Sequence, residues 1–259
     1  MLDIPARAVF IDPRARKPKA SDVNDMKDLG VIFDMDGVLV DSYRAHFESW
    51  NRMLSRHGLA MSEEQFAATF GRTSREIIRQ LYADAVEGDE QIAAWDADKE
   101  AAYRDVLRER FPEMDGAGEL LRSLHEAGFR LAVGSSGPPE NVELVRRRLS
   151  EGRCISATVD GTQVTHGKPH PEVFLKAAAK LGLAPRRCAV VEDAPAGVEA
   201  ARRAGMAAIA ITGTAPREKL AERAHLVVDS LRELSPGRIA GLVGEKGAID
   251  KLLADFEKI

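Results

Sequence analysis

Two places in the sequence join acids to an apolar run. Asp34-Met35-Asp36-Gly37-Val38 follows Val31-Ile32-Phe33, and Glu192-Asp193 follows Cys188-Ala189-Val190-Val191. Carboxylates at the mouth of a buried strand are costly without a partner, so both places read as functional rather than as turn caps. Two further stretches carry compatible chemistry: Gly134-Ser135-Ser136 after an apolar run, and Gly167-Lys168-Pro169 ahead of a helix. Converging carboxylates cannot all stay ionised unless they share a cation, and an oxygen-only donor set points to magnesium. Asp34, Asp193 and the Asp36 backbone carbonyl suffice as ligands, with Glu192 binding directly or through water. Asp34 could then attack phosphorus in line and form an aspartyl phosphate. Asp36 would carry the proton, first as general acid and then as general base. Ser135, with Ser136 beside it, would bind the phosphoryl oxygens, and Lys168 would neutralise charge there.

Such a site needs elements that bring four separate segments together. In open α/β sheets ligands bind at the carboxyl ends of strands, which is where these residues fall. Apolar runs predict strands at 31–33, 129–133, 188–191, 207–211 and 226–228, with helices at 120–126, 171–181 and 196–204 between them. That alternation implies a doubly wound, Rossmann-like parallel α/β core. The stretch from Tyr43 to Met114 reads as helices only. Phe47, Trp50 and Leu54 recur at helical spacing until Gly58, and Ser62 to Gln65 forms a capping box with a Met61–Phe66 staple. Thr73 with Glu76 repeats the box, and a long helix through Trp95, Lys99 and Tyr103 runs toward Pro112. The expected organisation is an N-terminal extension (1–27), an α/β core (28–42 and 115–259) and an inserted all-helical cap (43–114) over the active site. Val9-Phe10-Ile11-Asp12 imitates the first strand, but Arg14 stands where the second carboxylate is needed, so it reads as a decoy.

The segment Asp34-Met35-Asp36-Gly37-Val38-Leu39-Val40-Asp41-Ser42 resembles the first motif of the haloacid dehalogenase superfamily. Ser135, Lys168-Pro169 and Glu192-Asp193 resemble its second, third and fourth motifs, in that order, over roughly residues 29 to 230. The second aspartate is similar to the phosphoryl-transfer branch, so the resemblance does not imply dehalogenation. Glu192-Asp193-Ala194-Pro195-Ala196-Gly197 and the position of the helical block resemble the β-phosphoglucomutase and sugar-phosphatase subfamily. That likeness implies a Mg2+ cofactor and substrate-facing cap residues at His46, Arg75 and Lys99. It also implies a phosphatase of a small phosphorylated metabolite, with a phosphoglucomutase-type phosphotransferase as the alternative.

Bulk properties agree with a small-molecule enzyme. The 259 residues are 44% apolar and 30% charged, with a formal net charge of −4 and a pI near 5.9. This balance offers no general attraction to nucleic acid or anionic lipid, so an anionic ligand must be held locally. No apolar run approaches the roughly 18 residues of a membrane span, and no signal-like start is present. A cytoplasmic monomer is expected, with no nucleic-acid or membrane partner. Cys154 and Cys188 lack metal-ligand spacing and read as buried thiols.

Overall fold

The computed structural model describes residues 28–69 and 72–244. The N-terminal extension and its decoy motif lie outside the described residues. Six strands form one parallel sheet in the order β3-β2-β1-β4-β5-β6. They are β1 (Gly30–Phe33), β2 (Arg130–Gly134), β3 (Ile155–Val159), β4 (Cys188–Glu192), β5 (Ala207–Ile211) and β6 (Leu226–Val228). The strands are apolar on both faces because both faces are covered. Val31 and Phe33 pack with Leu131, Val133, Ala189 and Val191 in one layer, while Ile32 packs with Ala132, Val190 and Ala208 in the other.

Between β1 and β2 the chain makes a helical excursion: α1 (Tyr43–Ser55), α2 (Glu63–Thr69), α3 (Ser74–Leu81) and α4 (Gly88–Glu109). Its local signals are those read from the sequence. Gly58, at φ 69°, closes α1 with a Leu59 N–H to Leu54 carbonyl bond. Ser62 and Gln65 exchange capping bonds of 3.1 and 2.9 Å, and Thr73 and Glu76 form the second box. Trp50, Met53, Leu54, Met61, Phe66, Ile78 and Trp95 give this block a core of its own. Each such side chain contributes about 1.5–3 kcal/mol on burial.

The two connections to the sheet run side by side. Val40 and Glu113 form an antiparallel bridge, Asp41 N–H donates to the Pro112 carbonyl at 2.9 Å, and Met114 N–H to that of Leu39 at 3.0 Å.

The remaining helices cover the sheet in two layers. Helices α5 (Ala117–Glu126) and α6 (Pro139–Arg148) pack through Leu120, Leu121, Leu124, Val142 and Val145 on the Val31 face. Helices α7 (Glu172–Leu181), α8 (Pro195–Arg203) and α9 (Arg217–Ala221) pack through Phe174, Ala177, Val198, Ala201 and Leu220 on the Ile32 face. Strand β3, helix α6 and the short α9 were among the elements that escaped the sequence reading. Strand β3 is an edge strand whose Ser156 and Thr158 interrupt any apolar run. Helix α6 has five charged residues in ten, with Pro139 at its start. Both cysteines are buried and free, as expected. Among the described residues no helix is long and apolar enough to cross a membrane.

Candidate active site

Sheet register builds the centre. Phe33 lies level with Val133 on one side and Val191 on the other, so the next residue of each strand, Asp34, Gly134 and Glu192, arrives at the same edge. The chain order reverses between β1 and β4, and the crevice at that switch point is where this fold takes ligands. Asp34, Glu192 and Asp193 there place carboxylate oxygens within 4.8 Å of one another, all buried. Lys168 reaches in from the loop before α7 and donates to Asp34 Oδ1 at 2.5 Å and Glu192 Oε1 at 2.7 Å. Glu192 Oε2 accepts from the backbone amides of Asp193 and Ala194 at 2.8 and 2.7 Å, at the start of α8. Thr214, just beyond β5, donates to Asp193 Oδ2.

One cation does not balance three acids. Burial, only partly countered by Lys168 and reinforced by Glu192, raises the Asp34 carboxyl to about 7. Burial and the neighbouring Glu192 and Asp34 push Asp193 well above its ordinary value. Lys168 is held protonated: burial opposes its charge, but Asp34 and Glu192 outweigh burial. Two glycines leave room for this crowding. A Cβ on Gly37, whose φ is 76°, would fall 2.0 Å from Asp193 Oδ2, and one on Gly197 would fall 1.7 Å from Glu192 Oε1.

Asp36 turns the other way, toward the helical block. Tyr103 Oη donates to its Oδ1 at 2.7 Å, and His46 Nε2 lies 3.3 Å from the same oxygen. The Lys99 ammonium, which has only donors, contacts His46 Nδ1 at 3.0 Å, a contact that suits the tautomer with its proton on Nε2, facing Asp36. The His46 and Tyr103 rings stack at 4.1 Å with 3° between their planes. Burial disfavours the Asp36 anion, but the hydrogen bonds from His46 and Tyr103 outweigh it and hold the carboxyl well below its usual range. The line continues into the core. Lys99 donates to Glu100 Oε1 at 2.8 Å, Asn141 of α6 donates to Glu100 Oε2 at 2.6 Å, and Arg104 donates back to Asn141 Oδ1 at 2.9 Å.

A family model for haloacid dehalogenase-like hydrolases matches residues 29–205, which span all of these groups except Thr214. The chain belongs to that family. Hexitol phosphatase A of Escherichia coli (strain K12) is 36% identical over 210 residues, covering 81% of this chain and 94% of the relative. The β-phosphoglucomutase of Bacillus subtilis (strain 168) is 30% identical over 190 residues, covering 70% and 82%. Among solved structures, a family IA, variant 3 hydrolase from Entamoeba histolytica superposes with a TM-score of 0.75 at 25% identity, over 83% of this chain and 99% of that one. The chain is thus an enzyme of the haloacid dehalogenase-like hydrolase class, similar to both sugar-phosphatase and β-phosphoglucomutase members.

In this haloacid dehalogenase-like chain the acid cluster fits a hard cation. Its donors are all oxygen, and the raised carboxyls of Asp34 and Asp193 show positive charge to be in deficit. Lys168 and two amides already engage Glu192, whereas Asp34 meets Lys168 through Oδ1 and Asp193 meets Thr214 through Oδ2. Among the described residues that leaves the other oxygens of Asp34 and Asp193 best able to bind.

Of the remaining expected residues, Ser135 is buried at the end of β2, its Oγ accepting from Gly137 N–H at 3.0 Å, while Ser136 is exposed. His46 and Lys99 are brought together with Asp36. Arg75 is not: its side chain is 55% exposed and pairs with Asp96 of α4 at 2.9 Å. Tyr103, Glu100, Asn141 and Thr214 carried no assigned contact in the sequence reading. Tyr103 alone had a usable signal, one helical turn after Lys99 on the same face.

Proposed function

We propose that this chain is a Mg2+-dependent phosphatase of a small sugar phosphate, acting through an aspartyl phosphate on Asp34. The observation that carries this reading is the division of labour between two nearby aspartates. Asp34 lies in the Lys168–Glu192–Asp193 cluster, while Asp36 is held by His46 and Tyr103 at the boundary with the helical block. Asp34 and Asp193, with the Asp36 carbonyl and Glu192 nearby, would hold the ion. Bound there, Mg2+ would supply the positive charge that keeps Asp34 ionised and offsets that of the phosphoryl group.

Asp34 then attacks phosphorus in line, and the bond to the leaving alkoxide breaks. Lys168 and the Ser135–Ser136 loop balance the phosphoryl oxygens. Asp36 protonates the leaving oxygen and afterwards takes a proton from the water that hydrolyses the aspartyl phosphate. In the arrangement observed Asp36 favours its carboxylate, so acid catalysis requires substrate entry to loosen the His46 and Tyr103 contacts. Residues 43–114 serve as the cap in this reading, over a core of 28–42 and 115–259.

The partly buried line from Asp36 through His46 to the buried Lys99 favours one second reading, a phosphomutase that returns the group to another hydroxyl of the same sugar. One experiment separates the two. Phosphate release is followed over a panel of sugar phosphates with Mg2+, beside conversion of glucose 1-phosphate to glucose 6-phosphate with a bisphosphate primer. Released phosphate establishes the phosphatase, and isomerisation at constant free phosphate replaces it with the mutase.

A further inference from the structure

The loop that delivers Lys168 carries a second group of metal-ligating side chains unlike the first. His166, His170 and Glu172 flank the partly buried Lys168 and each offer a ligand atom within 4.8 Å of the others, the two imidazoles exposed to solvent. We propose that these residues form a surface site for a borderline divalent transition metal such as Zn2+ or Co2+, separate from the acid cluster.

The geometry is half made. His166 Nδ1 lies 3.3 Å from Glu172 Oε2. Bonds of about 2.0–2.2 Å at a tetrahedral angle set neighbouring ligand atoms roughly 3.3–3.5 Å apart, so this pair already spans one edge of such a polyhedron. The His170 ring stands 4.6 Å from that of His166, and its exposure lets a χ rotation close the remaining gap. The carboxylate is orientated from behind. Glu172 Oε1 accepts from Lys176 at 2.5 Å, and Oε2 from the amides of Thr165 and His166 at 3.1 and 3.0 Å. Partners of that kind fix a metal ligand's direction. They also hold Glu172 ionised, lowering its carboxyl to about 2, chiefly through Lys176. Two imidazoles with one carboxylate is a nitrogen-rich set that suits zinc, cobalt or nickel and leaves a position for water. Magnesium prefers the oxygen-only cluster, so the two sites differ in chemistry as well as in place. The His170 N–H to Gly167 carbonyl bond of 3.0 Å closes the turn that carries Lys168, and a metal across 166, 170 and 172 would brace it.

The test uses Co2+ as the probe, added to the full chain without a histidine tag in millimolar Mg2+. The site predicts one equivalent of Co2+ with the visible bands of a four-coordinate, nitrogen-bearing ion, displaced by Zn2+. His166→Ala and His170→Ala should each weaken binding by at least the roughly 10–100-fold that loss of a mere orienting partner costs. Asp34→Asn with Asp193→Asn should leave the bands unchanged. Bands that survive the histidine changes, vanish only with the aspartates, or never form in the unaltered chain would overturn the proposal. The readout needs no turnover, so it stands or falls apart from the phosphatase reading.

Discussion

Asp34 and Asp36 are two residues apart and behave oppositely because their surroundings differ. Asp34 is crowded by acids with one lysine among them, and its carboxyl rises, whereas Asp36 is met by donors and its carboxyl falls. Replacing Asp34 with Asn removes the proposed nucleophile while keeping the shape and the Lys168 contact. Phosphate release should fall by at least about 10^3-fold with the fold intact by circular dichroism, and retained turnover would rule Asp34 out as nucleophile. The glycine at 37 tests the crowding itself. Gly37→Ala would set a methyl 2.0 Å from Asp193 Oδ2 on a left-handed backbone, at a cost of about 1–3 kcal/mol in backbone strain alone. Displacing Asp193 should raise the Mg2+ concentration needed for half-maximal activity, as read by titration; an unchanged requirement would mean that Asp193 is no ligand.

At the level of elements, the legible parts were those whose signal is local. Val31-Ile32-Phe33 and Cys188-Ala189-Val190-Val191 announce buried strands, the acids follow at once, and parallel register does the rest. Capping boxes at Ser62 and Thr73 are local as well. What escaped depends on packing between distant elements. Asn141 on α6 meets Glu100 and Arg104 on α4 only because the helical block is seated on the core, and nothing in Glu140-Asn141-Val142 marks that contact. The Arg75 contact is of the same kind, since its partner Asp96 lies on another helix. The seating can be tested directly. Asn141→Leu removes both cross-element bonds and leaves the largely covered Glu100 with one donor fewer, so stability should drop by about 1–3 kcal/mol in urea denaturation. Because Glu100 also holds Lys99, and Lys99 holds His46, turnover should drop further than the loss of folded protein explains. Activity tracking the folded fraction alone would mean that the line to Asp36 is idle.

For the molecule as a whole, the acid cluster ties stability to pH and, under the proposed function, to magnesium. The Asp34 carboxyl is higher in the folded chain, about 7, than the ordinary value of 3.8. Its contribution is therefore full below the unfolded value and is lost as pH rises through 7, where the folded state must give up its extra proton. Magnesium bound as proposed would reverse this by replacing the proton, so its effect should grow with pH. Raising Mg2+ to about a hundredfold above its Kd should lift Tm by roughly 5–10 °C near pH 8. The shift should be smaller near pH 5.5 (about a unit and a half below the carboxyl), as thermal melts would show. A larger shift at the lower pH would count against proton–metal exchange at Asp34.

The paired connections at 39–41 and 112–114 bear on how such a chain can be rebuilt. Because the chain leaves the sheet and returns at adjacent, hydrogen-bonded positions, the sheet meets the inserted helices as it would meet a closed loop. The entropy of closing a loop grows only logarithmically, about 0.6 kcal/mol for each doubling of length. Loop closure alone therefore penalises a longer or shorter insertion little, and what a replacement must match is the seat that Ala45, Tyr103, Val106 and Leu107 make in the core beneath the sheet. With that seat kept, the side chains presented to Asp36 can change while the acids at the strand ends stay where the sheet register puts them.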